Sequence, residues 1–247
     1  MKKRLQSTLQ RIFGMRQYLK MFVSFKIGSL RSDKKEGDFF KFLELLPAEG
    51  DYLDVGANLG IMTHFLAQKA AGHKGTVHAF EPVKENLATL AWVVKKYKHG
   101  NVTIHPTAVG DTAGELTMVM PKVKGVRMQG LSHVQDPSIE GYDETASTYQ
   151  VPVVRLDDLT QLQDRRITGI KLDVENFEAR VLEGARELIA RNQPLIYCEL
   201  WDNYNRQQSF QIVRELGYSV QVLGETGRLQ AFDPTQHAQQ NFFFLPE

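Results

Sequence analysis

The sequence predicts an α/β fold in which helices cover both faces of a mostly parallel sheet. From Gly50 onward, short runs rich in β-branched and aromatic residues alternate with longer runs of helical periodicity. Such alternation is typical of a parallel sheet with a helical layer on each side. The chain has 247 residues, which fits one large domain, or a domain of roughly 200 residues with an appendage.

Seven of the strand-like runs are expected in one sheet. In chain order they are DYLDVG, TVHAFEP, NVTIHPTAV, ITGIKLDV, PLIYCEL, YSVQVLG and NFFFLP. The last two have only a short connection without helical periodicity, so we expect them to form an antiparallel hairpin at one edge. The run GELTMVMP alternates in polarity after a turn and predicts a further hairpin with its neighbour. Helices are predicted at residues 58–71, 83–97, 178–191 and 206–216.

A basic segment precedes this domain. Residues 1–35 carry ten Lys or Arg and one acid, and seven apolar residues recur among them at helical spacing: Leu5, Leu9, Ile12, Phe13, Leu19, Phe22 and Val23. We therefore divide the chain into a basic amphipathic helical segment, residues 1–36, and a domain of residues 37–247. The segment either rests on anionic lipid or packs on the domain with its charges solvated, and we favour the packed helix.

The bulk composition excludes several classes of protein. A formal net charge of +1 argues against a dedicated nucleic-acid binder. The single cysteine, Cys198, leaves no intramolecular disulfide and no Cys-based zinc site, so a reducing, cytoplasmic compartment is expected. We find no apolar run long enough to cross a bilayer and no signal-peptide cleavage pattern.

The segment DVGANLG, residues 54–60, lies between the first strand and the first helix of the domain. Gly56 and Gly60 lack a Cβ, so the chain can turn sharply and a ligand can approach the backbone. An ordinary tight turn is the alternative. The segment is not a dinucleotide fingerprint, because Asn58 stands where the second glycine would admit a pyrophosphate. This argues against NAD or FAD.

Two acids narrow the choice of ligand. Asp54 places a carboxylate in the turn, which suits a cationic group better than a phosphate. Glu81 ends the second strand about twenty residues after Gly60, where an acid can accept both hydroxyls of an adenosine ribose. A nucleoside with a free ribose and a positively charged tail satisfies both conditions, and S-adenosylmethionine has both features.

Five segments resemble, in order, the motifs of FkbM-type methyltransferases. They are DYLDVGANLGIMTHFLA, VHAFEPVKENL, AVGDTAGEL, VPVVRLDDL and ITGIKLDVENFEARVLEGA. Members of this family are S-adenosylmethionine-dependent enzymes with the Rossmann-like class I methyltransferase fold. The resemblance extends over about residues 50–200. It departs from the family at Asn176, where glycine is usual, although Asn tolerates a left-handed backbone better than most residues.

The resemblance implies roles for the residues of the turn. It assigns four residues to the methionine part of the cofactor and Glu81 to the ribose; the four are Asp54, Gly56, Asn58 and Gly60. Asp111, with the backbone of Ala108 and Val109, falls where such enzymes hold the adenine. The alternative for Asp111 is a plain turn former.

The candidate catalytic residues are Asp173, Glu175, Glu199 and His133. Asp173 closes a buried apolar strand, where a carboxylate is costly without a partner or a role. Strand alternation would place Lys171, Asp173 and Glu175 on one side while that strand lasts. Glu199 closes the next strand of the sheet. His133, in the long segment 121–150, is a second candidate base, with a solvated loop histidine as the alternative.

Several neighbouring residues have simpler interpretations. Glu178 fits the first turn of a helix, where an acid complements the dipole. His105 is expected in the core or at its rim, and Cys198 as a buried structural thiol. Asp173 and Glu199 could hold Mg²⁺, as in catechol-type O-methyltransferases. We favour instead a hydrogen-bonding set for acceptor hydroxyls, flanked by Trp201 and Tyr204, and assign no metal ligand.

The expected reaction is in-line transfer of a methyl group to an oxygen nucleophile. The resemblance implies an acceptor hydroxyl on a sugar, glycan or secondary metabolite. Residues 121–150 are long enough to fold over the acceptor as a lid, which is a further hypothesis. The alternatives are an N-methyltransferase or another nucleoside-cofactor enzyme on the same fold, and a non-catalytic binding protein docked through its first helix. We expect a cytoplasmic protein without nucleic-acid partners, with peripheral contact at the inner membrane face through the basic segment as a further option.

Overall fold

The computed structural model describes the backbone of residues 2–120, 122–123, 126–127, 133–134 and 147–247, and the side chains of residues 10, 14–119 and 148–247. Its strands are β1 (Asp51–Val55), β2 (Val77–Phe80), β3 (Val102–His105), β4 (Ala108–Val109), β5 (Gly114–Met120), β6 (Lys122–Val123), β7 (Val126–Arg127), β8 (His133–Val134), β9 (Ser147–Val154), β10 (Ile167–Leu172), β11 (Leu195–Glu199), β12 (Tyr218–Leu223), β13 (Leu229–Ala231) and β14 (Asn241–Pro246). Its α-helices are α1 (Lys2–Ser29), α2 (Gly37–Leu45), α3 (Ile61–Ala71), α4 (Lys84–Lys96), α5 (Thr160–Gln163), α6 (Glu178–Glu183), α7 (Arg186–Asn192) and α8 (Tyr204–Glu215).

The main sheet has the strand order β13-β12-β14-β11-β10-β1-β2-β3. The five strands from β11 to β3 are parallel, and β14 and β12 continue the sheet in antiparallel pairing. This confirms the predicted α/β sheet and its antiparallel edge. The strand count differs from the prediction by one, because Leu229–Ala231 pairs with the end of β12 and adds an eighth strand.

Helices cover both faces of this sheet. Successive residues of β1 point to opposite sides, so Tyr52 packs with α1 to α4 while Leu53 packs with α5 to α8. Both side chains are fully buried. The carboxyl ends of β1, β2, β10 and β11 therefore meet at one edge between two helical layers, which is where α/β sheets bind ligands.

A second sheet corrects one prediction. Its order is β4-β9-β5-β8, so β5 does not form a hairpin with the strand that precedes it. Strand β9 lies between β4 and β5 and pairs with both. The polar–apolar alternation of GELTMVMP identified the strand but carried no information about its partner β9, whose paired residues lie 27 to 39 positions further along the chain.

The sequence predicts one helix at residues 178–191, but the structure has two, α6 and α7, which are separated at Gly184 and Ala185. The predicted helix at residues 58–71 begins later, at Ile61, because the turn before it occupies the first positions.

The N-terminal helix packs on the domain. Its backbone breaks at Gly14, which has φ 73°. Beyond this break, Leu19, Val23 and Ile27 are buried, and Val23 and Ile27 share one cluster with core residues of α2 and α3. This is the packed arrangement rather than a free interfacial helix. Within the described residues, no helix is both long and apolar enough to span a membrane.

Candidate functional site

The turn after β1 is a compact left-handed structure. Gly56, Asn58 and Gly60 have φ values of 81°, 50° and 83°. A Cβ at Gly56 would lie 1.8 Å from the carbonyl oxygen of Asp173, so only glycine lets the ends of β1 and β10 come this close. At Gly60 a Cβ would lie 2.7 Å from Leu90. The backbone of the turn is thus bare at the carboxyl edge of the sheet, as the sequence predicts.

Glu81 connects the end of β2 to this turn. Its carboxylate accepts hydrogen bonds from the backbone N–H of Asn58 (2.8 Å), the backbone N–H of Val83 (2.9 Å) and the side-chain amide of Asn86 (3.1 Å). The side chain is buried, and burial raises its pKa. A carboxylate offers about four acceptor positions. Three donors therefore leave one position for a ligand.

Lys171 ties the turn to β10. Its Nζ donates a 2.8 Å hydrogen bond to the carbonyl oxygen of Gly56 and lies 3.5 Å from both Asp54 Oδ1 and Asp173 Oδ2. Burial alone would lower the pKa of Lys171, but Asp173 and Asp54 raise it above its ordinary value. The ammonium group therefore stays charged between two carboxylates.

This network changes the interpretation of Asp54. Its side chain is fully buried and also accepts a 2.6 Å hydrogen bond from Thr63 Oγ1. A cation of the protein itself, Lys171, thus faces Asp54, and the contact of Asp54 with a ligand stays a prediction. Strand alternation located Lys171 and Asp173 on one side correctly. Because β10 ends at Leu172, however, Glu175 reaches the site from the loop that follows.

A pocket opens between the turn, Glu81 and the second sheet. It has a polar side, formed by the turn, Glu81 and Asn86, and an apolar side, formed by Phe80, Val83, Val109, Met118 and Phe177. Asp173 and Glu175 complete its wall. A flat apolar ring and a hydroxylated sugar both find matching surfaces in such a pocket. The lining thus suits a nucleoside.

Three carboxyl groups lie around the carboxyl ends of β10 and β11. Burial, then the charges of Asp173 and Glu199, raise the pKa of Glu175 to about 8. Burial, then Asp173, raises the pKa of Glu199 to about 6. Carboxyl groups whose pKa values lie near neutrality can exchange protons during catalysis. Of the two, only Glu175 lines the pocket together with Asp173.

Glu178 holds the loop that carries Glu175 in place through hydrogen bonds to its backbone. Glu178 accepts 3.1 Å hydrogen bonds from the backbone N–H groups of Val174 and Asn176, and a 2.5 Å bond from the side-chain amide of Asn205. Burial raises its pKa to about 7. Both Glu175 and Asn176 have left-handed φ values, 55° and 76°. Glu178 thus has the structural role predicted for it at the start of α6, and Asn176 adopts the left-handed conformation.

Two predicted site residues are not seen at the pocket. Asp111 forms a 2.6 Å ion pair with Arg180 and does not line the pocket, whereas the neighbouring Ala108 and Val109 do. Asp111 thus has an ion-pair partner outside the pocket, and its contact with the adenine stays a prediction. His133 belongs to β8, but its side chain lies outside the described residues. Most of the predicted lid, residues 121–150, also lies outside the described residues.

The remaining residues singled out in the sequence are either packed in the core or exposed near the end of β11. His105 is buried and stacks on Phe80 at 4.3 Å between ring centroids. Cys198 is fully buried, and burial raises the pKa of its thiol far above the ordinary value. Trp201 and Tyr204 are exposed beyond the end of β11. Among the described residues, no group of three or more His, Cys, Asp or Glu side chains is arranged to hold a metal ion.

Sequence reasoning did not predict the contacts that Lys171 makes with the turn or that Asn86 makes with Glu81. Lys171 is a lone charge in the apolar strand ITGIKL, and this signal alone points to a buried ion pair. Asn86 lies on α4, five residues after Glu81, with its side chain at the pocket. Its position looks like an ordinary helical polar residue, so no sequence signal singled it out.

Comparisons with known proteins agree with this geometry. The family model described as the methyltransferase FkbM domain matches residues 54–220. No curated protein sequence matches the chain significantly. Among solved structures, the fold is similar to a methyltransferase FkbM from Methylobacillus flagellatus KT, with TM-score 0.53 and 18% identity. That match covers 81% of this chain, which spans 45% of the Methylobacillus protein.

Two further structures are more distant. A SAM-dependent O-methyltransferase from Thermotoga maritima has TM-score 0.46 and 16% identity over 89% of this chain and 70% of its own. A methyltransferase from Streptococcus mutans in complex with S-adenosylhomocysteine has TM-score 0.49 and 10% identity over 85% of this chain and 94% of its own. The family match covers well over half of the sequence and includes the turn, Glu81 and the β10 loop. The chain therefore belongs to the FkbM methyltransferase domain family.

Proposed function

We propose that this chain transfers a methyl group from S-adenosylmethionine to a hydroxyl of a sugar, glycan or secondary metabolite. One observation carries the proposal beyond the family. Glu175, whose carboxyl has its pKa raised to about 8, lines the same pocket as the glycine turn and Glu81. A proton acceptor thus lies beside the surface that fits the nucleoside, where an acceptor hydroxyl must lose its proton.

The pocket fits the cofactor in two respects. The turn is held open by the glycine at position 56, which has no room for a Cβ. Asn58 Oδ1 and Asn86 Oδ1 are buried and, among the described residues, have no hydrogen-bond partner. Buried acceptors without donors are costly, so a ligand that donates to them gains affinity. The hydroxyl and amino groups of S-adenosylmethionine are such donors.

These features assign the cofactor contacts. The backbone of Gly56 and Gly60, with Asn58, would hold the methionine part, and Glu81 with Asn86 would hold the ribose. The apolar side of the pocket would hold the adenine, next to Ala108 and Val109. Asp54 acts indirectly, because it fixes Lys171 and so the carbonyl of Gly56. When bound, S-adenosylmethionine supplies an electrophilic methyl group on a positively charged sulfur.

The protein then has to align the acceptor, exclude water and remove one proton. Alignment of two reactants can supply roughly 7 to 11 kcal/mol of the barrier. The acceptor oxygen would form its bond to the methyl carbon as the bond between that carbon and the sulfur breaks, with S-adenosylhomocysteine as the leaving group. The hydroxyl hydrogen would leave as a proton, which the ionised Glu175 carboxylate would accept. Asp173 lies on the same wall and is fixed by Lys171. It would orient the acceptor by accepting a hydrogen bond from another hydroxyl of that molecule, while the reacting hydroxyl donates to Glu175.

The acidic surroundings favour a hydroxyl over an amine as acceptor. Asp173, Glu175 and Glu199 would stabilise an ammonium group and raise its pKa. A protonated amine has no lone pair with which to attack the methyl carbon. A neutral hydroxyl keeps its lone pairs in the same field. This argument sets O-methylation above the N-methylation alternative.

We also propose that the reaction takes place in the cytoplasm and needs no bound Mg²⁺. The single cysteine is buried and free, as is usual for a protein of a reducing compartment. Among the described residues Asp173 already has Lys171 as its cation. An ammonium group in that position competes with a divalent ion for the same carboxylate.

Product analysis with a labelled methyl group tests the proposal. The protein is incubated with S-adenosylmethionine carrying a labelled methyl group and a panel of hydroxylated and amine acceptors, with the Glu175→Gln variant in parallel. The proposal predicts label in an ether linkage and a strong loss in the variant. Label in an N-methyl group would favour the alternative enzyme. Cofactor binding without transfer to any acceptor would favour a non-catalytic binding protein.

A further inference from the structure

The first helix has a second apolar face, directed away from the domain. Met21 and Phe25, one turn apart, are 51% and 71% exposed. Leu19, Val23 and Ile27 on the other side are buried. A helix that is apolar on opposite sides is normally covered on both. The residues Met21 and Phe25, which we call the outer face of α1, therefore need an explanation that core packing does not give.

The outer face is held in a fixed position. Lys96 of α4 donates a 2.6 Å hydrogen bond to Ser24, and the ammonium groups of Lys20 and Lys96 lie over the ring of Trp92. Just beyond the helix, Arg31 lies over the rings of Phe40 and Phe65. These contacts anchor the inner side of α1 on the domain. Exposure of Met21 and Phe25 is thus a property of the anchored helix.

Charge identifies the kind of partner. Residues 1–35 carry ten basic residues and one acid, whereas residues 36–247 carry 20 basic and 28 acidic residues. Arg16, Lys34 and Lys35 are exposed on α1 and in the turn that follows it. A surface that is both apolar and negatively charged complements this combination. An anionic lipid bilayer is such a surface.

A second copy of the chain fits less well. A two-fold dimer through the outer face would bring two identical segments together. Each segment carries nine net positive charges, and like charges at an interface oppose association. We therefore propose that the outer face of α1 docks on an anionic lipid surface, with Met21 and Phe25 entering the headgroup region.

The segment that follows the docked helix lies close to the acceptor side of the site. Glu36 follows α1 in the chain. Its pKa is raised, mainly by burial and in part by nearby acids that include Asp173, although Lys26 acts in the opposite direction. Asp38 then accepts a 3.1 Å hydrogen bond from Asn241, which pairs with Glu199 in the sheet. The end of the docking segment thus lies beside the proposed acceptor carboxylates. Resting on the proposed function, this deepens it to an acceptor carried at a membrane surface.

Vesicle sedimentation of the full chain tests the docking. The vesicles are pure phosphatidylcholine, or phosphatidylcholine and phosphatidylglycerol at about two to one, to add surface charge. We expect binding to the anionic vesicles alone, weakened at high salt because charge is screened. The double variant Met21→Ser/Phe25→Ser should bind at least about tenfold more weakly, since two apolar side chains no longer insert. Leu45→Ser is the control, because Leu45 is also an exposed apolar side chain, at 37%, but lies at the end of α2, just before β1 begins at the edge of the sheet opposite the acceptor carboxylates.

Three results would overturn the docking proposal: equal binding of the double variant and the wild type, equal binding to neutral and anionic vesicles, or a wild-type dimer in analytical ultracentrifugation that the double variant abolishes. Thermal unfolding of both proteins verifies that the double variant folds. Calorimetric binding of S-adenosylhomocysteine, measured without vesicles, reports separately on the proposed cofactor site.

Discussion

The side-chain amide of Asn86 donates a 3.1 Å hydrogen bond to Glu81, while its oxygen is buried and, within the described residues, has no donor. The two side chains thus form one polar wall, in which the acid is already held and the neighbouring acceptor is open. Because a buried acceptor without a partner costs free energy, this wall is most stable with a ligand that donates to it.

Replacement of Asn86 tests this wall. Asn86→Leu should weaken S-adenosylhomocysteine by roughly 1 to 3 kcal/mol, because it removes both the open acceptor and a donor to Glu81. Isothermal titration calorimetry measures the affinity. Thr89→Val, nearly one turn further along α4, is the control, since Thr89 bonds only within its helix and does not line the pocket. Equal affinity of Asn86→Leu and wild type would remove Asn86 from the cofactor site.

Replacement of Gly56 tests the contact between the turn and β10. Gly56→Ala should lower the free energy of unfolding by more than 1 to 2 kcal/mol, roughly the cost of a left-handed L-residue. The excess comes from the added methyl group, which would lie 1.8 Å from the Asp173 carbonyl oxygen. Urea denaturation gives the value. Gly100→Ala is the control, since a Cβ there meets no atom within 4 Å. A Gly56→Ala protein as stable as this control would contradict the described geometry.

The pH dependence of turnover tests Glu175 as the base. The carboxyl must be ionised to accept a proton, and its pKa is raised to about 8. We therefore expect the rate to rise as the pH increases through about 8. Glu175→Gln should lose this rise and about a hundredfold or more in turnover. Glu183→Gln, on the exposed side of α6, should keep both. A rise that persists in Glu175→Gln would assign the base to another residue.

Stability at low pH should depend on His64. Burial, then His99 and Arg31, lower the pKa of His64 to about 4. Because the unfolded chain then binds more protons than the folded one, the stabilisation is complete above about pH 6.5 and is lost as the pH falls towards 4. His64→Phe does not titrate. The wild type should therefore lose more free energy of unfolding than His64→Phe between pH 7 and pH 4.5, so that the variant becomes more stable relative to the wild type.

The raised pKa values of Glu175 and Glu178 act in the opposite sense. These groups stabilise the fold below about pH 4.5, and this contribution is lost as the pH rises towards 8 and 7, respectively. The contributions of these acids cancel in the difference between wild type and His64→Phe, because both proteins contain Glu175 and Glu178. A difference between the two proteins that does not change with pH would show that His64 titrates normally.

Much of the site could be predicted because its determinants are local. Gly56 and Glu81 each follow directly on a strand, Gly60 closes the turn that begins at Gly56, and strand ends in an α/β sheet meet at one edge. The acids after β10 and β11 follow the same rule. Position along the chain was therefore enough to place them near one another.

The failures concern relationships between distant segments. Asp54 and Lys171 are 117 positions apart and form a buried pair, so the carboxylate that seemed free for a ligand is already neutralised. Asp111 likewise pairs with Arg180. Neither partner has a sequence signal that identifies the other. The inserted position of β9 between β4 and β5 was missed for the same reason, since alternation specifies a face but not a neighbour.

The central claim is that the glycine turn and Glu81 together bind the nucleoside of S-adenosylmethionine. Calorimetric titration of S-adenosylhomocysteine into wild type, Glu81→Ala and the exposed control Glu85→Ala tests it most directly. The account predicts one site in the wild type, an unchanged site in Glu85→Ala and a loss of roughly 1 to 3 kcal/mol in Glu81→Ala. No binding by the wild type at saturating ligand, or equal affinity in all three proteins, would contradict it.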